Sequence, residues 1–333
     1  MAILAGEIKV YNPAANNDTS TNGGRLTGTA KTSGASGNIF PDVSQAERTA
    51  GSVKHRKAFI KVDNSANETL FNTIVFMHKP TPADDYAVMF AATQTDQQGD
   101  ILGSEQIYGV GNLNATVLSA VTQIAVQVED AALVGMFQPG MNVRITDKPS
   151  ALGAGNEEYL VINTIDSVVS DVVTMTFTTA LANGYSSANT FVASGISVGD
   201  LVGSYTSFVV TSGLSGTYDD TGNPVIVDSI AGVEQNWTLT FTSATAFNCT
   251  GDTLGSLGSG TVSGDFAPNN TDFSRPYFTL ASAGFGGTYQ AGDTITFTTS
   301  PAAAGLWFKR TVPAGAAALS SNGFSLLING ENV

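Results

Sequence analysis

Residues 39–62 read IFPDVSQAERTAGSVKHRKAFIKV and hold most of the polar signals of the chain. The loop Phe40-Pro41-Asp42 leads into polar residues 43–51. A basic cluster follows at Lys54-His55-Arg56-Lys57, and then the run Ala58-Phe59-Ile60-Lys61-Val62 alternates as a strand does. No other segment is so charged. The pattern predicts a strand that contacts a binding partner. It contains no arrangement of residues typical of covalent catalysis.

The next thirty or so residues, up to residue 93, continue the strand pattern. Residues 70–77 and 86–93 are apolar runs, and turn or breaker residues such as Lys79-Pro80-Thr81-Pro82 separate them. No amphipathic helix pattern lies between them. Three short strands at this spacing predict an antiparallel β-sandwich.

The composition agrees with an all-β chain. Of the 333 residues, 42% are apolar and 13% are charged, about half of the usual share of roughly 25%. Glycine (36 residues), serine and threonine take the place of the charged residues, which suits short strands joined by tight turns. The length allows two or three domains.

The net charge of −14 is unevenly distributed along the chain. Nine of the 14 lysine and arginine residues lie within the first 79 positions, and none lies between Lys148 and Arg275. Twelve carboxylates fall between Glu157 and Asp272. An acidic surface repels phosphate groups, so we expect no nucleic-acid partner.

Few features point to a membrane or to an oxidising compartment. No apolar run is long enough to span a bilayer, and the first five residues lack the basic start of a signal peptide. The single cysteine, Cys249, excludes a disulfide within the chain and argues against a cysteine metal site. We therefore expect no membrane span and assembly inside a cell.

A hexapeptide that alternates hydroxyl and apolar side chains occurs three times. The copies are TMTFTT at 174–179, TLTFTS at 238–243 and TITFTT at 294–299. Each copy predicts a strand with one apolar face. Either duplicated β-modules or the shared composition of threonine-rich strands would explain the likeness.

These patterns predict an all-β chain with a discontinuous core. Residues 1–38 are rich in Asn, Gly, Ser and Thr and predict an extended arm ordered by a partner. Residues 39–110 and 303–333 share aromatic and basic character and predict one antiparallel β-sandwich. The acidic, repeat-like block 111–302 is then an insertion, with a possible split near residue 200.

The chain offers little catalytic chemistry. His55 and His78 belong to no zinc or triad motif. The acid pairs Glu157-Glu158 and Asp219-Asp220 could hold Ca²⁺, but their flanking residues are also typical of turns. We predict no enzyme activity and no cofactor. The basic and aromatic residues of the predicted sandwich are instead candidates for subunit contacts: Lys54, Arg56, Lys57, Phe59, Lys61, Trp307, Lys309 and Arg310.

Both ends of the chain resemble virion structural proteins of tailed bacteriophages, notably Mu-like and related myophage or siphophage lineages. The stretches that carry the resemblance are 40–48, 57–61, 69–72, 79–82, 306–310, 312–315 and 324–327. They cover about a third of the chain, and block 111–302 lies outside them.

The resemblance implies a non-enzymatic part of the virion that assembles in the bacterial host cytoplasm. It implies a homo-oligomer in symmetric copies that contacts tail tube, baseplate, neck or capsid proteins. Two alternatives stay open: a capsid decoration or head-fibre protein, and a carbohydrate-binding adhesin module in which block 111–302 contacts glycans.

Overall fold

The structure is a computed structural model that describes residues 2–35, 37–151, 153–320 and 322–332. Within these residues the chain forms 25 strands, one short α-helix and four 3₁₀ turns. The first elements are β1 (Ile8–Ala15), β2 (Gly23–Ala30), α1 (Gln45–Ala50), β3 (Ser52–Val62), β4 (Leu70–Met77) and β5 (Tyr86–Ala92). The 3₁₀ turns are Ala5–Glu7, Gln98–Asp100, Ala131–Met136 and Ser282–Gly284. The predicted all-β fold is confirmed.

The next six strands close into a barrel, which we call the barrel unit. Its strands are β6 (Val110–Leu113), β7 (Gln123–Gln127), β8 (Asn142–Thr146), β9 (Glu157–Val169), β10 (Val172–Phe177) and β11 (Phe191–Ser194). They are hydrogen-bonded in the order β10-β7-β6-β11-β8-β9. Alternate residues of each strand point inward, so Val126, Ile145 and Met175 form a separate apolar core.

After one strand, β12 (Ile196–Leu201), the chain forms a second inserted region, the outer unit. Its main sheet has the order β13-β23-β16-β17-β18, and three two-stranded ribbons cover it. The sheet strands are β13 (Ser204–Thr211), β16 (Gln235–Phe241), β17 (Ala246–Gly251), β18 (Gly255–Thr261) and β23 (Thr294–Ser300). The ribbon strands are β14 (Thr217–Tyr218), β15 (Ile226–Val227), β19 (Asn269–Asn270), β20 (Arg275–Pro276), β21 (Phe278–Thr279) and β22 (Phe285–Gly286).

The last two strands, β24 (Ala303–Val312) and β25 (Leu326–Glu331), return to the first ones. A five-stranded sheet has the order β2-β1-β3-β24-β5, and a three-stranded sheet has the order β12-β4-β25. Both sheets contribute to one apolar cluster, in which Ile60 and Phe308 of the first sheet pack with Val75 and Met77 of the second. We call this two-sheet body the core unit.

The core unit extends beyond its predicted boundaries. It takes in β12, so the block 111–302 is two insertions that flank a core strand. It also takes in β1 and β2, because β1 pairs with β3 from Ile8↔Val62 to Tyr11↔Phe59. Residues 8–30 are therefore a hairpin of the central sheet rather than the extended arm that the composition predicts.

Hydrogen bonds and one aromatic side chain hold the hairpin in place. The composition of these residues therefore wrongly predicts an extended arm. Asn22 is fully buried, and its Nδ2 donates to the carbonyl of His55 at 2.9 Å and to Oε1 of Gln98 at 3.1 Å. Tyr11 is also buried. Polar side chains that satisfy neighbouring backbone groups order a segment that is poor in apolar residues.

The three hexapeptides form strands with one buried apolar face, as predicted. The pairs Met175/Phe177, Leu239/Phe241 and Ile295/Phe297 are all buried. Their surroundings differ, however, because the first copy belongs to the barrel unit, and the other two are adjacent strands of one sheet with Leu239 opposite Ile295. Duplicated modules would place the copies in equivalent positions. Shared composition of half-buried strands explains the likeness better.

Candidate functional site

The predicted contact residues lie on the two faces of the strand pair β3–β24. These strands pair from Ser52↔Val312 to Lys61↔Ala303, and residues opposite each other project to the same face. The lysine face carries Lys57, Phe59, Lys61, Trp307 and Lys309. The arginine face carries Lys54, Arg56 and Arg310 beside the apolar core.

On the lysine face, Lys57 is enclosed by acceptors. Its Nζ lies 2.6 Å from Oδ1 of Asp96 and donates to the carbonyls of Gly24 at 2.8 Å and Asp96 at 3.1 Å. Trp307 Nε1 donates to the other oxygen of Asp96 at 2.9 Å. The side chain of Lys57 is 0% exposed and that of Asp96 is 18% exposed. Asp96 therefore fixes a buried cation and an indole at once.

Lys61 forms the second buried ion pair of this face. Its Nζ lies 3.0 Å from Oδ1 of Asp63 and 4.9 Å from the ring centroids of both Tyr11 and Phe273. Phe273 belongs to the outer unit, so this cation is enclosed between two units. Burial lowers the pKa of Lys57 and Lys61, and the facing carboxylates act in the opposite direction.

The arginine face is paired within the chain as well. Arg56 Nη2 lies 2.5 Å from Asp18, and Lys54 Nζ lies 3.0 Å from Glu47. Glu47 closes a capping box with Ser44 at the start of α1. Burial alone would raise the pKa of Glu47, but hydrogen bonds from Ser44 and Lys54 hold it at about 2.

Six of the eight predicted contact residues have no surface to offer another subunit. Each is buried and packed or paired within the chain: Arg56, Lys57, Phe59, Lys61, Trp307 and Arg310. Lys54 and Lys309 are partly exposed. The prediction of subunit contact is therefore corrected for the six, because their partners come from within the chain: from the hairpin, from residues 40–47, from Asp63, from residues 93–100 and from the outer unit.

A large cavity borders the arginine face. It has a volume of about 1030 Å³ and lies between N-terminal residues within 5–10, 30–35 and 37–43 and C-terminal residues within 316–320 and 322–328. Arg310 reaches it from β24, with its guanidinium 4.8 Å from the ring centroid of Phe40. Arg310 Nη1 donates to the carbonyl of Pro41 at 2.8 Å, while Nε and Nη2 have no hydrogen-bond partner among the described residues.

A buried charged cluster joins the core unit to the barrel unit. Arg144 pairs with Glu157, and its Nη1 lies 3.0 Å from Nδ1 of His78. Lys148 lies 2.6 Å from the same carboxylate. Burial alone would raise the pKa of Glu157, but hydrogen bonds from Lys148 and Arg144 hold this pKa at about 2. Sequence reasoning missed this cluster because its members form no local motif.

We predict that the two histidines lower the free energy of unfolding in mild acid. Burial first, and then Arg144, lowers the pKa of His78, and burial and Lys309 do the same for His55. The unfolded chain then binds more protons below pH ~6.5, so unfolding becomes easier by about 1.4 kcal/mol per pH unit for each histidine until its folded pKa is reached.

His78→Gln should therefore reduce this slope as the pH falls from ~6.5 toward ~5, a range in which carboxylates contribute little. Urea unfolding at a series of pH values measures it. An unfolding free energy that stays constant over this range in the unaltered chain would contradict the assignment.

The described residues offer few other reactive groups. Burial raises the pKa of the Cys249 thiol to about 12, so the thiol stays protonated. No group of three or more His, Cys, Asp or Glu side chains suited to a metal ion occurs within residues 2–35, 37–151, 153–320 and 322–332. In that same part of the chain, no helix is long and apolar enough to cross a membrane.

Comparisons with known proteins give no relative. No protein-family description, no curated protein and no solved structure matches this chain.

Proposed function

We propose that this chain is a non-enzymatic structural component of a tailed-phage virion that assembles with tail, baseplate or neck proteins. One observation carries the proposal. Every stretch that resembles phage virion proteins, from residue 40 to 82 and from 306 to 327, lies in the core unit or in the loops that join its strands. The resemblance thus covers one body, although the sequence divides it between the two ends of the chain.

The pairing of charges in the core unit also supports a structural role. Lys57 and Lys61 are held by carboxylates within the chain, so both charges contribute to the packing of the core unit. The barrel unit and the outer unit have cores of their own and are inserted between core strands. This arrangement suits a virion protein whose core unit packs against neighbouring proteins while its barrel and outer units are displayed on the particle.

Labelling of purified virus particles tests the proposal. Antibodies raised against the recombinant chain should mark the tail or baseplate of particles released by the cells that encode it. Quantitative mass spectrometry of the particles should find a few to a dozen copies per particle. Hundreds of copies with label on the head would favour a capsid decoration protein, and absence from purified particles would overturn both.

A further inference from the structure

Three side chains that line the large cavity have incomplete hydrogen bonding: Asp85, Arg310 and Asn322. The side chain of Arg310 is 8% exposed, and Asp85 is 3% exposed. Nε and Nη2 of Arg310, Oδ2 of Asp85 and Oδ1 of Asn322 are buried without a hydrogen-bond partner among the described residues. Buried polar groups are normally paired. The wall of one cavity therefore offers two donors and two acceptors to a ligand.

The charges around these groups are already balanced within the chain. Glu47 Oε1 lies 3.9 Å from Arg310 Nη2, which is close enough for an ion pair but too far for a hydrogen bond. Burial lowers the pKa of Arg310, and the negative charge of Asp85 opposes this shift most strongly. Elsewhere on the wall, Lys9 pairs with Asp63. These groups lack hydrogen bonds rather than counter-ions, so an uncharged head group fits them best.

Much of the remaining wall is apolar. Six half-buried side chains pack against the core cluster and also line the cavity: Ile8, Val10, Ile39, Phe324, Leu326 and Ile328. They come from the five-stranded sheet, from the loop before α1 and from β25 and the segment before it. The volume of about 1030 Å³ is at the upper end of the range usual for small-molecule sites. An apolar tail would bury surface against this wall, which favours binding.

We propose that this cavity binds an uncharged amphipathic molecule whose head is a primary amide or a pair of hydroxyl groups. The head oxygen accepts from Nε and Nη2 of Arg310, and its N–H or O–H groups donate to Oδ2 of Asp85 and Oδ1 of Asn322. The apolar tail lies against Leu326 and Ile328. A carboxylate head would leave both acceptors unpaired, and an ammonium head would leave both donors unpaired. Binding of this kind does not depend on the virion role.

Calorimetric titration of the full chain with four eight-carbon probes tests the proposal. Octanamide and 1,2-octanediol carry heads that donate and accept, whereas octanoate only accepts and octylammonium only donates. The first two should bind with a Kd on the order of 1 mM, as expected for ligands of this size. They should bind at least about tenfold more tightly than the other two, because an unpaired buried group costs binding energy. The tighter of octanamide and 1,2-octanediol identifies the head that the site prefers.

Variants locate the bound molecule. Leu326→Trp fills the apolar part of the cavity and should weaken the binding of both neutral probes about tenfold or more, while Asn329→Ser, at an exposed position of the same strand outside the cavity, should leave it unchanged. Arg310→Met, or Asn322→Leu if that variant does not fold, should reduce the preference for octanamide over the charged probes. Absence of octanamide and diol binding, equal binding of all four probes, or unchanged binding in Leu326→Trp would overturn the proposal.

Discussion

Asp96→Ala should destabilise the core unit by about 3–5 kcal/mol, the cost of leaving a buried charge without its partner. The substitution removes the carboxylate 2.6 Å from Lys57 and the acceptor of Trp307 Nε1 at once. The ammonium group then keeps two backbone carbonyls and the rings of Phe59 and Trp307 as neighbours, but no carboxylate within hydrogen-bond distance among the described residues. Urea unfolding followed by the fluorescence of Trp307, in a Trp237→Phe background, reports the loss in the core unit, since the chain has two tryptophans.

The stability lost in Asp96→Ala should become smaller as the pH rises. Burial lowers the folded pKa of Lys57 below that of an unfolded lysine, and Asp96 counteracts this. Without Asp96 the folded pKa falls further, so the unfolded chain binds the extra proton over a wider range below pH ~10.4. Stability rises with pH across that range. Asp96→Ala should therefore lose less stability near pH 10 than near pH 7.

A double substitution is the matched control for the ion pair. Lys57→Met with Asp96→Ala replaces the pair with apolar groups, and such replacements are often close to neutral. The double variant should recover more than half of the loss of Asp96→Ala. A loss below about 1 kcal/mol in Asp96→Ala, or no recovery in the double variant, would show that Lys57 is not a charged buried group.

Much of the fold can be predicted from the local pattern of apolar and polar residues. The burial of the lysine face cannot. The alternation in residues 58–62 predicts a strand, and β3 spans it. Alternation also puts Lys57, Phe59 and Lys61 on one face, and two lysines on a face ordinarily indicate contact with solvent. Phe59 between them was the one local sign of burial, and Trp307 joins them only through the pairing of β3 with β24.

The groups that bury this face come from distant parts of the chain. Asp96 follows β5, and Phe273 belongs to the outer unit, more than two hundred residues from Lys61. His78 and Arg144 likewise meet only because the barrel unit packs beside the end of β4. Pairings of this kind depend on the arrangement of sheets and units, and a single sequence contains no periodicity that encodes them.

Trp237→Ala should destabilise the outer unit by about 3–5 kcal/mol, the usual cost of removing a buried aromatic side chain. Trp237 is 1% exposed, and its ring lies 4.9 Å from Phe278 and 5.6 Å from Tyr277 between centroids. Its Nε1 donates to Oγ1 of Thr299 on the neighbouring strand at 2.8 Å. Truncation leaves a cavity in the sheet of β16 and β23 and removes one of the two partners of the Thr299 hydroxyl, which keeps its own bond to the carbonyl of Val233 at 2.7 Å.

Hydrogen exchange resolved by peptide locates this loss. Protection should fall in β16, β17 and β23, while β3 and β24 keep theirs and Trp307 reports an unfolding transition close to that of the unaltered chain. Trp237→Phe keeps most of the apolar volume and should lose less, which makes it the matched control. Unchanged protection in β16 would contradict the role of Trp237. An equal loss in β3 would mean that the core and outer units unfold together, with Phe273 over Lys61 as the contact that couples them.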